Sequence, residues 1–122
     1  MSESHQQAAV VAHFKWKYPK HIICASANGA HIAGTKHQRM LKIVKMKREG
    51  MLPGMCDLSI HVARGGYHGL FIEMKDVGKT YSSVSKEQRA VIKQLNDDGN
   101  LATWCAGASA AIKEIDKYMG LK

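Results

Sequence analysis

Apolar positions along the chain change period several times, and each change marks an element. Over residues 2–18, Glu3, Gln7, Val10, Val11 and Phe14 recur at spacings of three and four, which places them on one face of a helix that Pro19 ends. Residues 21–26 form a short apolar run, a strand, and Asn28-Gly29 is a turn signal that could equally close a hairpin. Residues 36–49 set Met40, Leu41, Val44 and Met46 among lysines and read as a basic helix stopped by Gly50. After a turn around Pro53-Gly54, residues 56–63 and 69–75 read as two strands of a hairpin joined by Arg64-Gly65-Gly66-Tyr67. A polar loop (76–84), a helix (85–98), a third apolar strand (101–106) and a closing helix (108–119) follow. The order predicts an α/β fold, a mixed central sheet flanked by helices, without internal repeats.

A chain of 122 residues with 45% hydrophobic and 23% charged residues fits a single globular domain, here residues 1–122. No apolar run is long enough to span a bilayer, and the N-terminal basic residues follow the apolar ones, opposite to a secretion signal. Cys24, Cys56 and Cys105 are odd in number and lack a C-x-x-C pair, so a reducing, cytoplasmic setting is expected. Cys24 and Cys105 fall in apolar strands and read as core, as does Trp104; helix packing is the reading for Trp16. The seven histidines show neither H-E-x-x-H nor zinc-finger spacing, and no complete phosphate-binding glycine loop occurs, so no organic cofactor is expected.

Charge adds the first functional signal. The net charge is +8, and no acidic residue occurs between Glu3 and Glu49, a stretch that includes Lys15, Lys17, Lys36, Arg39, Lys42 and Lys45. Such a one-signed segment favours a polyanion and makes these six residues candidates for DNA contact. It is equally the solvated face of a soluble protein.

The chemistry concentrates on the hairpin. Residues two apart in a strand point the same way, so Glu73 and Lys75 share one face while Ile72 and Met74 share the other. Pairing brings Asp57, at the start of one strand, beside Glu73, at the end of its partner. Two such carboxylates suit a hard divalent cation, with the backbone carbonyl of Met74 as a further ligand and Lys75 beside the scissile phosphate. An acid and a lysine two apart are also a common surface ion pair. Ser85 to Gln88 has the form of a capping box, yet Gln88 heads the stripe Gln88, Val91, Ile92, Leu95 and can reach the end of the Glu73 strand. Glu3 admits two readings as well, a first-turn acid complementing the helix dipole or a site residue.

The run GMLPGMCD at 50–57, GLFIEMK at 69–75, the segment 82–88 and the segment 95–99 together resemble the VRR-NUC domain, a branch of the PD-(D/E)XK nuclease superfamily. The resemblance extends from Glu3 to about Tyr118. It implies a restriction-endonuclease-like αβββαβ core, with Asp57, Glu73 and Glu3 at a Mg2+ or Mn2+ ion, Lys75 as catalytic lysine and Gln88 as the downstream active-site glutamine. Gln7 is a further member of the first-helix motif. The implied activity is metal-dependent DNA endonuclease hydrolysis of phosphodiester bonds, selective for branched DNA such as Holliday junctions, in a homodimer of phage or bacterial origin. The alternatives are a nuclease acting on plain duplex and a non-catalytic basic nucleic-acid-binding module. Cys56 stands where the superfamily has proline, a residue that shapes the backbone and performs no chemistry.

Overall fold

The structure, a computed structural model, describes residues 2–26 and 32–122. The Asn28-Gly29 turn therefore lies outside the described residues. The order is α1 (Glu3–Lys17), β1 (Ile23–Ala25), α2 (Lys36–Arg48), β2 (Leu58–Ile60), β3 (Leu70–Lys75), a single 3-10 turn (Tyr81–Ser83), α3 (Lys86–Asp97), β4 (Leu101–Ala106) and α4 (Ala108–Met119). These elements make the expected mixed α/β fold.

One sheet runs β1-β2-β3-β4. β1 pairs antiparallel with β2 (Cys24 opposite Ser59), and β2 antiparallel with β3 (Leu58 opposite Ile72). β3 and β4 are parallel, with Glu73 opposite Trp104, which requires the crossover that α3 supplies. Asn96, at the end of that helix, clamps the crossover by donating to the Ala102 carbonyl (3.0 Å) and accepting from the Ala102 N–H (2.9 Å).

The two faces of β3 are unequal. Leu70, Ile72 and Met74 are fully buried against Val10 and Phe14 of α1 and Ala111, Ile115 and Tyr118 of α4. Removing such side chains from water is the dominant stabilising term of the fold. α3, whose Val91, Ile92 and Leu95 are half-buried, packs on β4 and reaches the opposite face of β3, with Glu73 and Lys75, through Gln88.

α1 and α4 are joined by polar ties as well. The Asp116 carboxylate accepts from the Tyr18 hydroxyl (2.6 Å) and pairs with Lys17 (3.2 Å) and His13 (3.4 Å). Burial pushes the Asp116 carboxyl up, but bonds from Tyr18, Lys17 and His13 outweigh it and hold the group below the usual range. Gly107, which precedes α4, has no side chain to cap it; Gln6 Oε1 accepts from the Ala108 N–H instead, at 2.7 Å.

Several expectations change. The strand expected over 56–63 pairs only at Leu58–Ile60, so Cys56 and Asp57 precede it and Val62 is buried without being a strand residue. In α1 the deeply buried polar residue is Gln6; Glu3 and Gln7 flank the stripe half-exposed. Cys24 is exposed rather than core, because β1 is an edge strand with one face open. Trp16 is 77% exposed and does not pack against the sheet, while Trp104 is half-buried under α3. α2 buries no residue, so its apolar Met40, Leu41 and Val44 face outward among the lysines.

Candidate active site

Extending the β2–β3 register by one position sets Asp57 opposite Glu73, as the hairpin argument requires. The Asp57 carboxylate (Oδ2) accepts from the Met74 N–H at 2.7 Å. Because the N–H and C=O of one strand residue project toward the same neighbour, the Met74 carbonyl turns toward that carboxyl group.

Glu73 is 3% exposed. Its Oε1 accepts from the Gln88 side-chain amide at 2.6 Å and lies 4.0 Å from Lys75 Nζ. Its Oε2 is fully buried and, with both carboxyls ionised, receives no hydrogen bond; a proton shared with Asp57 would supply one. Lys75 Nζ donates to Gln88 Oε1 at 3.1 Å, so Gln88 bridges the acid and the lysine. The same Oε1 also accepts from the Ser85 N–H at 2.8 Å, while the Gln88 N–H donates to Ser85 Oγ at 3.1 Å. Both readings of Gln88 are therefore realised at once: it closes the capping box of α3 and holds Glu73.

The strand-turn-helix geometry that permits this depends on Gly54. Its φ is +85°, and a Cβ there would sit 2.7 Å from the Glu87 main-chain carbon. Only glycine allows the turn before Asp57 to lie directly against the first turn of α3.

Electrostatically the site is an acid cluster short of compensating charge. Burial, followed by repulsion from Asp57, raises the Glu73 carboxyl, and Lys75 only partly offsets this. Burial also raises Asp57, against the lowering effect of its Met74 bond. Glu3 is raised by burial and by repulsion from Asp57 and Asp76. Burial beside Glu73 and Asp57 pushes the Cys56 thiol up to about 12, so it is neutral and no nucleophile.

Asp76 was not anticipated. Its Oδ1 is buried without a donor, and its charge is felt by Glu3. Its place directly after the E-M-K run was the available signal.

A buried carboxylate oxygen with no donor, facing a second carboxyl group, calls for a proton or a cation. Among the described residues no three His, Cys, Asp or Glu side chains form a closed metal cage. Mg2+ does not need one: it keeps several waters and is held by one or two carboxylates together with substrate oxygens. Asp57, Glu73 and the Met74 carbonyl are the hard oxygen donors it prefers, so the donor set fits.

All six candidate DNA contacts are exposed, and three of them also have partners. Lys17 is paired with Asp116, Arg39 donates to the Gly34 carbonyl (2.7 Å), and Lys42 to the Ala33 carbonyl (2.9 Å).

With this geometry in place, comparison with known proteins is decisive. A profile of the VRR-NUC domain matches residues 1–109. The chain belongs to the VRR-NUC domain family. It accordingly has a nuclease-type fold. A solved structure titled "VRR_NUC domain protein" is similar at 29% identity, with a TM-score of 0.77, covering 99% of this chain and 90% of that one. No curated protein matches. Glu3, Asp57, Glu73, Lys75 and Gln88 all fall inside the span matched by the VRR-NUC profile, and most of α4 lies beyond it. No helix among the described residues is long and apolar enough to cross a membrane.

Proposed function

We propose that this VRR-NUC protein is a Mg2+- or Mn2+-dependent DNA endonuclease. The observation that carries the reading is the buried, donor-free Glu73 Oε2 beside the Asp57 carboxyl, with Lys75 and Gln88 gathered on the other oxygen of Glu73. Asp57, Glu73 and the Met74 carbonyl would hold the ion, while Glu3, whose carboxyl feels the charge of Asp57, does not join them in a three-acid group and would add only negative charge from α1. When bound, the ion polarises the scissile phosphate and offsets charge building on its oxygens. Lys75 orients the attacking water and stabilises the transition-state charge from the protein side. Gln88 fixes both Glu73 and Lys75, and α3 fixes Gln88 through its cap. The exposed lysines of α1 and α2 hold the DNA backbone, giving affinity without sequence preference.

Branched DNA, including four-way junctions, is the substrate supported by the family membership. A homodimer would present two such centres to opposing strands. The family's compact members support a phage or bacterial origin.

Incubating the protein with a four-way junction and with linear duplex of equal length, in Mg2+, Mn2+ or EDTA, tests this. Metal-dependent cutting concentrated at the junction is expected. Equal cutting of both DNAs points to a plain duplex nuclease. Retention of DNA with no cutting in either metal leaves a binding module.

A further inference from the structure

Beside the carboxylate pair lies a second feature that catalysis by Asp57, Glu73 and Lys75 does not use. Tyr81, in the 3-10 turn between β3 and α3, is 53% exposed. A single exposed aromatic is ordinary. This one is held in place. The Arg89 guanidinium sits 4.1 Å from the ring centroid, and its Nη2 donates to the Tyr81 carbonyl at 2.9 Å. The Trp104 ring lies 6.4 Å away, tilted by 47°.

The turn beneath is braced as well. Ser83 Oγ donates to the Thr80 carbonyl (2.7 Å), the Thr80 and Ser82 hydroxyls are 2.8 Å apart, and Val84 is buried. An aromatic ring whose freedom is already restricted loses little entropy when a ligand lies on it.

Position gives the feature its meaning. Trp104 is the register partner of Glu73 across β3 and β4, so the two side chains stand on the same face of the sheet one strand apart, and Tyr81 lies against Trp104. The Tyr81–Arg89–Trp104 group thus borders the metal-ligand candidates on the α3 side. Nucleobases stack on aromatic rings and on arginine planes irrespective of sequence. In continuous duplex the faces of the bases are covered by their neighbours, so such a surface can be used only by a nucleotide that has left its stack.

Resting on the nuclease reading above, we infer that Tyr81, backed by Arg89 and Trp104, stacks an unstacked base next to the scissile phosphate, so that the substrate is DNA carrying an unpaired nucleotide at the cut. Tyr81 is then a specificity-determining residue.

The test uses a duplex with one unpaired 2-aminopurine and the matching fully paired duplex, bound in EDTA so that cutting plays no part. Wild type and Tyr81→Phe should both quench the unpaired 2-aminopurine. Tyr81→Leu should abolish the quenching and weaken binding of the unpaired-base DNA by about 5- to 150-fold more than that of paired duplex. Thermal melting of each variant checks the fold. Quenching that survives Tyr81→Leu, or is lost in a folded Tyr81→Phe, overturns the assignment. So does an equal loss on both DNAs. Cutting in Mg2+ is scored separately, so absence of cleavage would count against the nuclease reading and leave the stacking result standing.

Discussion

Two helices of this protein start with the same device and put it to different use. Thr35 and Gln38 close a capping box at α2, and Ser85 and Gln88 close one at α3. The reciprocal bonds are nearly identical: Gln38 Oε1 accepts from the Thr35 N–H at 2.9 Å, and Gln88 Oε1 from the Ser85 N–H at 2.8 Å. Among the described residues Gln38 makes no side-chain hydrogen bond beyond this cap, and α2 buries no residue. The amide of Gln88 also reaches Glu73 at 2.6 Å. Local sequence sets the cap; the strand lying alongside decides whether the capping glutamine becomes part of a site.

The largest effects should come from the groups that only the α3 side possesses. Asp57→Asn or Lys75→Ala should reduce the cleavage rate by about 100- to 1,000-fold or more, while DNA retention in EDTA persists. Gel assays of cleavage and binding on the same preparations separate the two. Next, Gln88→Ala should cost roughly 10- to 100-fold in activity through misplacement of Glu73, while Gln38→Ala leaves the rate unchanged. A matching loss in Gln38→Ala would break the contrast between the two boxes.

The contrast in packing can be sharpened by hydrogen exchange. α2 lacks buried side chains, so its amides should exchange through local opening well before those of β3 and β4. Thr35→Ala should speed exchange in α2 and leave the global melting temperature in place. Ser85→Ala, at a helix packed on the sheet, should lower global stability by about 0.5–2 kcal/mol.

The last contrast concerns pH. The raised folded-state value of Glu73 means that the folded protein binds this proton more tightly than the unfolded chain. Its contribution is therefore most favourable at low pH and declines as pH rises from the ordinary glutamate range through the raised value. Melting temperatures of the metal-free protein should fall from about pH 5 to about pH 8, the raised value of Glu73, and Glu73→Gln should flatten that slope. Added Mg2+ should flatten it in the wild type by neutralising the ionised pair, which a melt with and without the ion reads directly.

Much of this was legible in the residues. The alternation of Ile72 and Met74 with Glu73 and Lys75 separated the core face from the chemical face, because strand period is rigid. Gln88 was legible as both a cap and a contact of the Glu73 strand, since its place on the apolar stripe aimed it at the sheet. The extent of strand pairing was not, because it depends on what lies opposite: Val62 is as apolar as Ile60 but lies beyond the pairing. In α1, Gln6 stands four residues before Val10 and eight before Phe14, so spacing already puts it on the buried stripe, whereas the Ala108 N–H that it caps is not visible in the sequence. The lack of burial in α2 was hidden for the same reason, since Met40, Leu41 and Val44 look like a core stripe until the neighbouring elements are known.

The bond from Gln6 to Ala108 has a consequence for the timing of biosynthesis. The helix carrying Glu3 is made before the sheet, yet its broadest docking surface is the helix at Ala108–Met119, whose first N–H it caps. A nascent chain that has not yet exposed this last helix can seat the first one only against β1 and β3, without that broadest contact. Full docking of the helix that carries Glu3 therefore waits until synthesis has passed the whole sheet.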